Sequence, residues 1–174
     1  MGQLILCLVI VFGLQMIPTQ SEAGWLFHAT KKAAARKIMV RGFSKKMNPK
    51  ARFGKGYYFS KSPTTALKEK PGANAIVVTR GSKMLTKNAL STKHWSTAKL
   101  KKFSGDRDLR GKIHKGVIGP KLGKEIGRKA GRQRRPVLYR SARDRNGSNL
   151  FIPPSVYQKH PRIVRPQKVV SYGR

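Results

Sequence analysis

Apolar residues in this chain fall into short patches separated by basic, glycine-rich stretches, and the spacing within each patch predicts an element. Leu4 to Ile17 is apolar except at Gly13 and Gln15, which is too short to cross a bilayer but fits the central region of a secretory signal. Ser21-Glu22-Ala23 then offers small residues where a signal peptidase reads them, so residues 1–23 are expected to be removed and the protein exported. Trp25-Leu26-Phe27 reads as a strand leading into His28, and Thr30 is a candidate cap for an alanine-rich helix over Lys31 to Val40 that Gly42 stops. A basic loop, Ser44 to Arg52, precedes Phe53-Gly54-Lys55-Gly56-Tyr57-Tyr58-Phe59-Ser60, a glycine turn before an aromatic strand. Ser62-Pro63 opens a short helix closed by Pro71. Asn74 to Arg80 carries the β-branched run of a buried strand ended by Gly81. Further strands are expected at Val137–Arg140, Leu150–Ile152 and Val169–Tyr172. Strands and helices in this order predict an α+β fold, with residues 24–174 forming one domain.

Residues 83–135 break the pattern. They are rich in Lys, Arg, Gly and Ser, and read as a long basic insertion with one helix, Lys121 to Ala130. Ile113, Val117, Ile118, Leu122 and Ile126 form an irregular amphipathic face suited to membrane contact. The arginine-rich run Gly127 to Pro136 can pair its guanidinium groups with phosphates.

Composition sharpens this. The chain has 39 Lys and Arg against 6 Asp and Glu, a net charge of +33 in 174 residues. Such an imbalance favours an anionic macromolecule, whether nucleic acid, an acidic protein or a microbial surface, contacted through Lys121–Arg135. The one cysteine, Cys7, lies in the signal segment. The exported chain therefore has no disulfide, thiolate nucleophile or cysteine metal site, and no metal is expected.

Leu26-Phe27-His28-Ala29-Thr30, the following helix, Gly42-Phe43 and Gly54-Lys55-Gly56-Tyr57-Tyr58-Phe59-Ser60 stand in an order that resembles the ADP-ribosyltransferases of the diphtheria-toxin and poly(ADP-ribose)-polymerase type. The resemblance implies a split β-sandwich with flanking helices that binds NAD as its substrate. It implies that His28 bonds the ribose hydroxyls, that the backbone at Ala29 pairs with the nicotinamide amide, and that Tyr58 stacks on the nicotinamide ring. Thr30 completes this NAD-binding set beside its capping role.

Two departures bear on activity. Many active relatives carry a Glu near the start of a late strand, where this chain has Asn149. An amide can bond a ribose hydroxyl but cannot carry negative charge or accept a proton. The remaining acidic residues beyond the signal are Glu69, Asp106, Asp108, Glu125 and Asp144, of which Asp144, nearest Asn149 in sequence, is the candidate stand-in. Relatives also place a second aromatic about ten residues after the tyrosine, where this chain offers Leu67 and Lys68. The expectation is a secreted, toxin-like ADP-ribosyltransferase with Tyr58, Asn149 and Asp144 as catalytic candidates. The competing expectation is a catalytically lapsed cationic protein on the same fold, acting in defence or on nucleic acid.

Overall fold

The computed structural model describes residues 24–44, 47–105, 108–109, 112–114, 117–144 and 146–172. The expected signal segment and Cys7 lie outside these residues. Strand β1 (Trp25–Thr30) runs into helix α1 (Lys32–Arg41), then β2 (Tyr57–Ser60), α2 (Pro63–Glu69) and β3 (Ala75–Gly81). Next come α3 (Met84–Lys87), β4 (Leu90–Ser91), α4 (Thr97–Ser104), a hairpin of β5 (Ile113–His114) and β6 (Val117–Ile118), and α5 (Pro120–Arg132). The chain finishes with β7 (Val137–Arg140), β8 (Ser148–Ile152), α6 (Pro154–Lys159), a 3-10 turn and β9 (Val164–Ser171). This is an α+β fold around a seven-stranded sheet in the order β4-β7-β8-β2-β1-β3-β9, antiparallel except for β4 against β7.

Local chemistry accounts for most boundaries. Gly42 takes a positive φ of 72° and its N–H donates to the Ile38 carbonyl, which ends α1 in a conformation other residues resist. Ser62 caps α2 by accepting from the Thr65 N–H at 3.1 Å, with Pro63 at the first helical position. Thr30 is not the cap of α1. It belongs to β1, Lys31 holds the N-cap position, and the Asn74 side chain accepts from the Lys32 N–H at 2.8 Å from across the sheet.

The last strand is longer than Val169–Tyr172, because Arg165, Gln167 and Lys168 dilute its apolar pattern. As an edge strand it tolerates Pro166 and polar residues. Its partner β3 is buried on both faces: Ala75 and Val77 join a core with Leu26, Phe59 and Leu150, while Ile76 and Val78 join another with Phe27, Ala29 and Ala66.

The stretch 83–135 is more structured than expected. It contains α3, β4, α4, the hairpin and α5, and β4 pairs in parallel with β7. The apolar face expected to meet a membrane is core instead. Leu122, Ile126 and Ala130 of α5 are fully buried with Phe53, Val137 and Phe151, and Ile118 is buried with them. Charges dominate the composition here, but they occupy the opposite face of α5, where Lys121, Lys124, Arg128 and Arg132 are exposed.

Candidate functional site

Within the continuous sheet, ladder pairing is short between β1 and β2. Among the described residues β1 and β2 pair at one position, Phe27 opposite Ser60, whereas β1 pairs with β3 along its whole length. Past Phe27 the strands diverge, and a cleft of about 910 Å³ opens between them, within the range of small-molecule sites. His28, Ala29, Thr30, Tyr58 and Asn149 all line it.

The Thr30 carbonyl accepts from the Asn74 N–H at 3.2 Å, so it points toward β3. Strand alternation then turns the peptide groups of Ala29 toward the open edge and the cleft. His28 links β1 to β2. Its Nδ1 lies 3.0 Å from the Tyr58 carbonyl oxygen, which can only accept, so Nδ1 carries the proton and Nε2 of the neutral ring is an acceptor. Phe43 and Phe59 pack their rings edge-on to it at 5.5 and 5.9 Å. Burial holds the imidazole below its ordinary pKa of 6.5, outweighing the Tyr58 carbonyl, with Lys70 acting in the same direction as burial. His28 is therefore neutral at neutral pH.

Tyr58 is fixed at both ends. Its ring sits 5.1 Å from that of Phe151. Its hydroxyl accepts from the Phe53 N–H at 2.9 Å and donates to the Gly54 carbonyl at 2.7 Å. Burial pushes the phenol well above its ordinary value, so it stays protonated. Helix α5 braces the 52–54 segment that holds this hydroxyl. A Cβ on Gly123 or Gly127 would lie 2.4 Å from the Arg52 carbonyl oxygen or 2.1 Å from that of Phe53, so only glycine lets the helix come so close.

This α+β fold is shared with a toxin–antitoxin chain. The likeness covers 88% of this protein and 85% of a chain in the crystal structure of the M. tuberculosis MbcT–MbcA toxin–antitoxin complex, at a TM-score of 0.51 and 11% identity. No family model matches the chain, and no curated protein sequence does.

The expected carboxylate positions resolve differently. Asn149 is 2% exposed, and its amide is locked: Oδ1 accepts from the Ser60 hydroxyl at 2.6 Å and Nδ2 donates to Glu69 Oε1 at 2.8 Å. Asp144 does not line the cleft. It accepts from the Thr65 hydroxyl at 2.6 Å and faces Lys68 Nζ at 3.4 Å, tying the β7–β8 loop to α2. Thr65 first, aided by Lys68, holds its carboxyl below the ordinary value of 3.8. The carboxylate beside Asn149 is Glu69, the last residue of α2 and the one acidic residue among those lining the cleft. Its Oε1 also accepts from the Ser141 hydroxyl at 2.6 Å and the Ala142 N–H at 3.0 Å. Lys37, Arg41, Arg52 and Lys70 place positive charge along the same cleft. Leu67 packs into the core beneath β1 and β3 instead, so the second aromatic has no counterpart there.

Proposed function

We propose that this protein is an NAD-consuming enzyme with an ADP-ribosyltransferase-like split β-sandwich. It cleaves the bond between nicotinamide and ribose and passes ADP-ribose to a macromolecular acceptor. The observation that carries this is the bridge from His28 Nδ1 to the Tyr58 carbonyl at the open end of the sheet, which puts an imidazole acceptor, a strand edge and a tyrosine ring in one cleft.

Each group has a task that suits its chemistry. The Ala29 N–H and C=O pair with the donor and acceptor of the carboxamide, as a strand edge does with another strand. Tyr58, backed by Phe151, presents its ring to the nicotinamide. Neutral His28 offers Nε2 to a ribose hydroxyl without adding positive charge near a sugar that becomes cationic as the bond breaks. Lys37, Arg41, Arg52 and Lys70 attract the two phosphates.

The fold shared with a toxin–antitoxin chain supports a toxin-like role. The exposed cations of α5 steer the enzyme to an anionic target, and residues 1–23 direct it out of the cell. The test is transfer of label from adenine-labelled NAD to a cell extract. Label should reach protein or nucleic acid with the wild type and not with the His28→Ala, Tyr58→Ala double variant. Equal labelling by both, or none by the wild type in any extract, overturns the reading.

A further inference from the structure

We infer that Glu69 is the catalytic carboxylate of this cleft, supplied from the end of α2 instead of from strand β8, and that Asn149 is the positioning residue that aims it. The inference rests on the NAD-cleaving reading. Three donors, the Ser141 hydroxyl, the Ala142 N–H and Asn149 Nδ2, all converge on Oε1. Among the described residues none of these bonds engages Oε2, which leaves that oxygen for a ligand of the cleft that Glu69 lines. Asn149 cannot turn its amide round, because the Glu69 carboxylate oxygen only accepts and would then face the amide oxygen; that oxygen accepts instead from the Ser60 hydroxyl at 2.6 Å. The amide on β8 thus passes its hydrogen bond one side chain further, to a group that carries the charge an amide lacks.

That charge matches the reaction. The ribose C1′–nitrogen bond breaks with its electron pair going to the nicotinamide nitrogen, which discharges the pyridinium and leaves positive charge on the ribose. A fixed carboxylate stabilises that charge where it develops. An acceptor hydroxyl, amine or water then bonds to C1′, and its proton passes to Glu69 Oε2 and on to solvent.

The experiment is nicotinamide release by Glu69→Gln. Glutamine keeps an oxygen for the three donors but removes the charge, so Tm and the KM for NAD should stay near wild type. The kcat should fall by about 10²–10⁴-fold, the usual worth of a positioned acid or base. Asp144→Asn, which removes the carboxylate outside the cleft, should retain kcat. Wild-type turnover by Glu69→Gln, or a larger loss with Asp144→Asn, overturns the assignment while leaving NAD cleavage standing. A wild type that releases no nicotinamide overturns both. If Glu69→Gln fails to fold, Glu69→Ala is assayed with added formate: recovery of release supports the assignment, and no recovery overturns it.

Discussion

Gly127→Ala tests how α5 holds the site. A Cβ at this position would sit 2.1 Å from the Phe53 carbonyl oxygen, 3.0 Å from its carbonyl carbon and 3.1 Å from its Cβ. The first two are backbone atoms that cannot swing aside, so either the helix or the 52–54 segment must move. Overpacking of this kind costs about 1–3 kcal/mol, and contact with backbone puts it near the upper end. Replacing a helical glycine by alanine returns about 1 kcal/mol. The net loss is therefore about 2 kcal/mol, or roughly 4–8 °C in Tm for a chain of this size. The same substitution at Gly131, four residues on, meets Pro153 Cβ at 3.7 Å and Ser155 Oγ at 3.9 Å, which is ordinary contact. There the helix gain stands alone, and Tm should rise by up to about 4 °C. Differential scanning calorimetry on both variants reads the contrast. Moving the segment also displaces the Phe53 and Gly54 groups that hold the Tyr58 hydroxyl, so Gly127→Ala should lose activity where Gly131→Ala does not. Stabilisation by both substitutions would refute the close approach of α5 to Phe53.

Three further outcomes follow from the same geometry. Tyr58→Phe keeps the ring but leaves the Phe53 N–H without its acceptor, so urea unfolding should show a loss of about 1–3 kcal/mol, and an unchanged midpoint would contradict the bond. His28 titrates lower in the folded chain than at its ordinary 6.5, so the unfolded state binds more protons as pH falls through that value. The His28 contribution to stability should be flat above about pH 7.5 and decline below 6.5, with a slope of at most about 1.4 kcal/mol per unit; a decline of the same size in His28→Asn would assign it elsewhere. Replacing Lys121, Lys124, Arg128 and Arg132 by Gln should leave Tm nearly unchanged, because all four are exposed. It should also lower the salt dependence of binding to a DNA duplex by about one unit of slope for each phosphate no longer neutralised, and an unchanged slope would place the anionic partner on another face.

What the sequence disclosed was what local chemistry controls. Gly42, Ser62-Pro63 and the β-branched run at 75–79 act within a few residues of themselves, and the structure places their elements within a residue or two of expectation. His28, Ala29 and Tyr58 were legible as a motif, and the sheet brings them to one cleft. Glu69 was not, because its meaning comes from the α2 terminus meeting Ser141, Ala142 and Asn149, residues 72 to 80 positions away. Asp144 stands close to Asn149 in sequence, but the fold turns it away toward Thr65 and Lys68. In α5 the cations masked a second pattern. Leu122, Ile126 and Ala130 repeat at helical spacing beside Gly123 and Gly127, which is the signal of a buried face with a close backbone neighbour.

NAD cleavage in this cleft is decided by nicotinamide release from NAD by the purified chain, supplied with cell extract as acceptor, for the wild type and for His28→Ala and Tyr58→Ala separately. Steady release is expected from the wild type and background rates from both variants, each folded by circular dichroism. Release by His28→Ala and Tyr58→Ala at the wild-type rate, or none by the wild type, would contradict it.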